Sequence, residues 1–239
     1  MEEAKIYKNA FNLLKKAIIN YNLLENSERF IVGVSGGKDS LCLVHLLNEY
    51  KKRENKKWDF MAVYIKPDFI NFDTKRLINF FDKHKINYEI LEAKLLTKIA
   101  TSSKKTCFLC ARERKKILFE FAEKLAIKKI ALAHHLEDVN ETVLLNLFYN
   151  GEISTFLPIQ DFFNGKFYII RPLYYFNNDL IKNYNQFHKI KAIKNPCPYI
   201  KENKRNKIRN FLESLYREDK RIRENIFKGI KRIKEKFLP

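Results

Sequence analysis

The chain has 239 residues, 46% of them hydrophobic, which suits a packed core and argues against a wholly disordered chain. Lys and Arg number 47 against 28 Asp and Glu, a formal net charge of +19 that points to a polyanionic partner such as nucleic acid. No apolar run approaches a membrane span, and Met1-Glu2-Glu3-Ala4-Lys5 lacks the features of a signal peptide, so a cytoplasmic protein with no membrane partner is expected. Structural disulfides are rare in that compartment, and the four cysteines read instead as packing, metal or chemistry.

In chain order, Ile6, Phe11, Leu14, Ile18 and Ile19 are spaced for an amphipathic helix over residues 2–24. Residues 29–34 predict a buried strand, 35–40 a Gly-rich turn and 41–50 a helix. A strand comes next at 60–65, closed by Pro67, then a helix at 74–84 and a short strand at 88–91. Further on, 111–125 and 138–149 read as helices on either side of a strand at 129–133. A strand at 167–170 and a helix at 178–188 complete the alternation. That order predicts an α/β fold around a mostly parallel sheet flanked by helices, with ligands at the carboxyl ends of the strands. The expected organisation is an N-terminal helical segment (1–28), a main domain (29–200) and a C-terminal appendage (201–239). In the appendage basic residues outnumber acidic ones more than two to one, and its apolar positions are spaced for helices.

Ser35-Gly36-Gly37-Lys38-Asp39-Ser40 joins a strand to a helix. Two glycines permit turns closed to other residues, so successive N–H groups can converge on an anion at a helix N-terminus. Ser35 and Ser40 add hydroxyls and Lys38 a positive charge. Asp39 suits a bare phosphate poorly but suits a magnesium ion that bridges phosphates. The spacing is not that of a Walker loop. The segment resembles the signature of the N-type ATP pyrophosphatases, the PP-loop family. That resemblance implies an adenine nucleotide alpha hydrolase-like fold and ATP as substrate, cleaved between its α and β phosphates. AMP would be joined to a substrate oxygen and then displaced by a nucleophile, with Lys38 assisting catalysis.

Cys107-Phe108-Leu109-Cys110 stands at the mouth of a predicted helix, and Cys197 lies in Asn195-Pro196-Cys197-Pro198. Two thiols at this spacing can share a metal centre, and Arg112 and Arg114 would favour thiolates. A structural zinc site with His45, His84 or His188 as fourth ligand stays open, as does a catalytic dithiol. Cys42 reads as a small core residue. The loop, the Cys-x-x-Cys pair and the distant cysteine together are similar to the tRNA 2-thiolation enzymes of the 2-thiocytidine type. The resemblance implies that Cys107, Cys110 and Cys197 hold a [4Fe–4S] cluster with one open iron position. Many relatives carry a second distal Cys-x-x-Cys, whereas this chain has Ile200 at that position.

Ala133-His134-His135-Leu136-Glu137-Asp138 with Asn140-Glu141-Thr142 lies after a strand and opens a helix. Acidic residues at a helix start also complement its dipole without further purpose. The segment resembles the family's Gly-His-His-x-Asp-Asp-x-x-Glu-Thr motif, with Ala133 in place of glycine and Glu137 in place of the first aspartate. The resemblance assigns Asp138 to metal contact or proton handling, with His134, His135 and Glu137 in support. Arg114 falls where relatives place a cation near the reacting oxygen, where it would stabilise developing negative charge. Arg171, in Ile170-Arg171-Pro172-Leu173, matches the family's strand-exit motif and reads as positioning.

The expectation is an ATP-dependent tRNA sulfurtransferase that adenylates a base, with an anticodon-loop cytidine at C2 as target. Its cofactors are Mg²⁺ and a [4Fe–4S] cluster. Its partners are tRNA, ATP and a sulfur donor (sulfide or a desulfurase relay), and a homodimer is compatible with the family. Two rivals remain: a lysidine synthetase-like enzyme, which has no need of the three cysteines, and a non-catalytic RNA-binding module with structural zinc, which leaves Asp39 unexplained.

Overall fold

Arg29–Val34 (β1) alternates its side chains between two apolar layers, which makes it a central strand. Phe30, Val32 and Val34 join one layer and Ile31 the other. The computed structural model describes residues 2–68, 74–94, 106–193, 204–232, 234 and 236, and the side chains of residues 2, 3 and 106–108 fall outside that description. The helix Glu2–Tyr21 (α1) precedes β1, and Lys38–Arg53 (α2) comes after it. Then come Asp59–Pro67 (β2), Lys75–His84 (α3), Tyr88–Ala93 (β3) and Thr106–Lys124 (α4). Lys129–Ala131 (β4), Leu136–Asn150 (α5), Ile159–Phe162 (β5) and Phe167–Ile170 (β6) complete the sheet. Asn178–Phe187 (α6), Lys204–Glu218 (α7) and Arg221–Gly229 (α8) close the order.

The six-stranded sheet runs β3-β2-β1-β4-β6-β5. All its pairings are parallel except β5 with β6, where Ile159 faces Ile170 and Phe162 faces Phe167. The mostly parallel α/β architecture expected from the alternation is therefore present. β5 was not expected: only four residues long, at the edge and half-buried, it has too weak an apolar signature to read from sequence. Several boundaries shift, among them the start of α4, at Thr106 rather than 111. β4 ends at Ala131 rather than 133, and α2 begins at Lys38 rather than 41, so the second half of the expected turn is the helix's first turn.

The α1 helix contributes Leu14, Ala17 and Ile18 to the same buried layer as α2, α3, α6 and one face of β1. On the opposite face Leu118, Phe119 and Ala122 of α4 pack over Ile31, Val63, Ile65, Ile130 and Ile169. A third cluster, Ile208, Leu212 and Tyr216 of α7, packs with Leu144 and Leu145 of α5 and Ile222 and Ile226 of α8. The apolar face of the basic appendage is thus spent on the main body. No helix among the described residues is long and apolar enough to cross a membrane.

Gly33 lies where β1 meets α4: a Cβ there would stand 2.7 Å from Leu132 Cδ2 and 3.3 Å from Leu118 Cδ1. Gly33→Val is expected to cost about 1–3 kcal/mol of stability by overpacking, read as a lower urea midpoint with an unchanged m-value.

Candidate active site

The turn after β1 and the helix start after β4 meet because β1 and β4 are parallel neighbours, with Val32 in register with Ala131. At the first, Gly36 adopts φ +79°, a left-handed conformation that favours glycine. Gly37 is extended and caps α2, its carbonyl accepting from Leu41 N at 3.1 Å. The two serines stitch the turn. Ser40 Oγ accepts from Ser35 N (3.2 Å) and donates to Gly37 O (3.0 Å), while Ser35 Oγ accepts from Gly37 N (3.3 Å). Both hydroxyls therefore hold the loop's own shape here. Lys38 Nζ donates to Asp39 Oδ1 and, at 2.6 Å, to Asn178 Oδ1 at the start of α6. Asn185, further along α6, donates to Lys38 O at 2.8 Å.

The second element supplies a buried imidazole among carboxylates. His135 is 5% exposed, and its Nδ1–H donates to Glu137 Oε2 at 3.0 Å. Its Nε2 lies 3.5 Å from Asp138 Oδ2 and 3.7 Å from Asp39 Oδ1, so it bridges the α5 start to the Gly-rich turn. Burial opposes its charge, but the Glu137 hydrogen bond and the Asp138, Asp39 and Glu137 charges outweigh it and hold its pKa above the ordinary value. Asp138 accepts from His135 N at 3.1 Å, completing the helix cap. Burial pushes its carboxyl up, but His135, His134 and Arg205 prevail and hold it below the ordinary range. His134 behaves oppositely: burial pulls it down to about 4, against the pull of Asp138. Arg171 Nε donates to His134 Nδ1 at 3.3 Å, which fixes the neutral tautomer with its proton on Nε2. Arg171 is itself buried, stacked 4.5 Å over Phe156 and bonded to Leu157 O and Gln160.

Glu137 is the buried hub. Its Oε1 accepts from Asn178 N at 2.9 Å and lies 3.1 Å from Arg223 Nε, a charge contact out of hydrogen-bonding alignment. Arg205 bonds both Asp138 (3.0 Å) and Glu141 (2.7 Å), and Arg209 grips Glu141 with two nitrogens. Five residues absent from the sequence expectation thus complete the site: Asn178, Asn185, Arg205, Arg209 and Arg223. No local pattern marks them, because their partners stand 41 to 147 positions away in the chain. The cations among them are engaged by carboxylates: Arg223 is largely covered, while Arg205 and Arg209 stay partly open to solvent.

Two cavities flank this junction. One, of about 580 Å³, is lined by Gly33, Ser35, Arg114, Leu118, Leu132 and His134, among others, between the strand ends and α4. The other, of about 450 Å³, lies between α5, α6, α7 and α8, with Glu137, Asn178, Arg209 and Arg223 on its wall. The first brings Ser35 of the Gly-rich turn, the neutral histidine and a cation onto one wall, a set of groups able to bind and polarise an oxygen substrate. Cys110 packs half-buried into the α4 face next to Ala111, a wall residue of that cavity. Cys197 and the Cys107 side chain lie outside the described residues, so the three-cysteine set is seen through Cys110 alone. Cys42 is fully buried in the α2 core, as expected, and its thiol is pushed above the ordinary range by desolvation. Among the described residues no group of three His, Cys, Asp or Glu has metal-binding geometry; the His45 ring meets His84 edge-on at 4.7 Å and His188 at a tilt at 4.5 Å.

Residues 4–215 match the PP-loop domain family. The chain is 32% identical over 242 residues to the tRNA-cytidine(32) 2-sulfurtransferase of Coxiella burnetii (strain CbuG_Q212), covering 100% of this chain and 94% of that protein. It is 27% identical over 246 residues to the protein of that name from Geotalea uraniireducens (strain Rf4), covering 99% and 96%. In fold it resembles the U34-tRNA thiolase NcsA of Methanococcus maripaludis, solved with its [4Fe-4S] cluster, at TM-score 0.79 and 24% identity over 96% of this chain and 79% of that one. A weaker likeness joins it to the NH3-dependent NAD synthetase of Campylobacter jejuni, at TM-score 0.52 and 17% identity over 99% and 95%.

His135, with its native pKa raised, adds stability that is complete below its ordinary value and lost as pH rises through the native one. Asp138, with its native pKa lowered, adds stability present above the ordinary carboxylate value and lost as pH falls through the native one. Histidine NMR with ¹⁵N labels should show one site imidazole titrating above the ordinary range and one near about 4, assigned by His135→Gln and His134→Gln. Glu141→Gln, which weakens the attachment of both arginines, should lower stability by about 1–3 kcal/mol by urea unfolding, a figure discounted because Arg205 and Arg209 side chains are 38% and 45% exposed.

Proposed function

The chain belongs to the PP-loop family, in its branch of tRNA 2-thiolation enzymes, and on that premise we propose that it adenylates a tRNA base at C2 and exchanges the oxygen for sulfur. The observation that carries the reading is the contact of Asp39 with His135, 3.7 Å apart, beside the cavity shared by Ser35, Arg114 and His134. It unites a phosphate-holding turn, a metal-competent carboxylate and donors for a developing oxyanion. The name shared by the relatives makes a cytidine the proposed base.

In this reading ATP occupies the cavity at the strand ends, its phosphates over the turn 35–40. The α2 N-terminus and the N–H groups of the turn face the departing pyrophosphate. Lys38, released from Asn178, tracks the phosphates, and Asp39 is left to hold Mg²⁺. The base oxygen attacks the α-phosphorus as the bond to pyrophosphate breaks. Arg114 steadies the negative charge that develops. Neutral His134, fixed by Arg171, offers an Nε2–H to the same oxygen, whereas His135, its pKa raised, ties Asp138 and Asp39 in place. A sulfur nucleophile then adds at C2, and AMP departs with the oxygen.

The implied [4Fe–4S] cluster fits the donor chemistry: Cys110 lies on the helix whose next residues wall the cavity, and Cys107 and Cys197 would complete the set. When bound, such a cluster supplies an iron position open to sulfur. The basic surface would hold the RNA backbone.

The test is anaerobic incubation of the full chain with ATP, Mg²⁺, sulfide and unmodified tRNA, with nucleoside mass analysis of the product. Thiocytidine, AMP and pyrophosphate are expected in equal amounts. Asp39→Asn should lower AMP release by roughly 100-fold or more. Cys110→Ser should lose both thiolation and iron while still binding ATP. AMP release that depends on lysine rather than sulfide, with no thionucleoside formed, overturns the reading.

A further inference from the structure

Away from the site, the far end of α5 and the facing side of α7 present rings to solvent in a chain whose described aromatics are otherwise mostly buried or half-buried. Phe148 is 56% exposed and Phe211 47%, with ring centroids 6.5 Å apart. Tyr149, next to Phe148 in the chain, is also exposed, and Lys204 Nζ sits 4.2 Å over its ring. Lys207, one turn before Phe211, is exposed on the same helix. Exposed rings interleaved with lysines are costly to leave in water and are unlike the carboxylate-paired arginines of the neighbouring site.

We propose that this patch is a stacking platform for an unpaired nucleotide of the substrate tRNA, lying beside the one that enters the active site. The proposal rests on the tRNA-modifying reading above and deepens it by naming where the RNA loop is held. Charge chooses the occupant. The chain carries +19, so a second copy brings like charge to a lysine-bordered surface, whereas RNA brings phosphates for Lys204 and Lys207 and flat bases for the rings. Distance agrees as well. Phe148 lies ten residues beyond Asp138 on the same helix, about 15 Å along its axis. That separation lets one splayed base reach the site while a neighbour stacks outside, which a single-stranded loop allows and a duplex does not.

The test measures affinity of the full chain for an unmodified anticodon stem-loop hairpin by fluorescence anisotropy across a salt series. Phe148→Ala/Phe211→Ala should bind about tenfold or more weakly with an unchanged salt slope, because stacking carries no counterion release. Phe148→Leu/Phe211→Leu should be equally impaired, since it keeps apolar area and removes the rings, whereas Phe148→Trp should bind at least as well as wild type. Lys204→Gln should reduce the salt slope by about one. ATP binding should be unchanged in every variant, which excludes misfolding. If wild type binds the hairpin and the alanine pair binds equally well, the platform is wrong and the tRNA reading stands. If wild type binds no hairpin at all, both fall. If the alanine pair instead converts a dimer to monomers in sedimentation with RNA affinity intact, the patch is a self-association surface and the proposal is overturned.

Discussion

Parallel pairing of β1 with β4, from Phe30 opposite Lys129 to Val32 opposite Ala131, is the constraint on which the site depends. Both strands end at the same edge of the sheet, so the segments leaving them must meet. The turn 35–40 leaves β1, and the stretch from His134 to Glu141 comes soon after the end of β4. Because β1 also pairs with β2, the chain leaves this junction in opposite directions across the sheet, the arrangement that opens a crevice at strand ends in doubly wound folds. The cavity at Ser35, Arg114 and His134 is that crevice.

At the junction carboxylates are buried together with the groups that neutralise them. Glu137, Glu141 and His135 are each about 5% exposed or less, and each is matched by opposite charge or a hydrogen bond. Buried charge without a partner is heavily penalised, so the arginines of α7 and α8 are structural necessities as much as additions. They couple the appendage to the site: Arg205 and Arg209 hold Asp138 and Glu141, and Arg223 lies against Glu137 and Asp179. The match is incomplete at Asn140, whose amide donates to Tyr216 and Arg223 while its Oδ1 finds no hydrogen-bond partner.

This coupling changes how the basic composition is understood. The net charge of the appendage suggested cations facing RNA, yet its best-placed arginines are engaged by carboxylates. The outward side of α7 keeps lysine interleaved with an exposed phenylalanine, which has the makings of a base-stacking surface rather than a plain electrostatic one. The two neighbouring histidines divide in the same manner, His135 drawn toward its charged form by its carboxylate neighbours and His134 held neutral by burial, with Arg171 beside it. Adjacent identical residues acquire different chemistry from their surroundings.

The sequence alone determined the alternating strands and helices, because buried apolar runs and helical spacing are local signals. It also determined the Gly-rich turn that ends β1, where Gly36 takes the left-handed conformation, and the fully buried place of Cys42. Tertiary structure decided the rest. β5 exists only as an antiparallel partner for β6, and its own residues carry too little pattern to announce it. Asn178, Arg205, Arg209 and Arg223 gain a purpose only when the sheet brings them to partners far away in sequence. The protonation of each histidine was likewise beyond sequence, because burial and neighbouring charge set a pKa, and both are properties of packing.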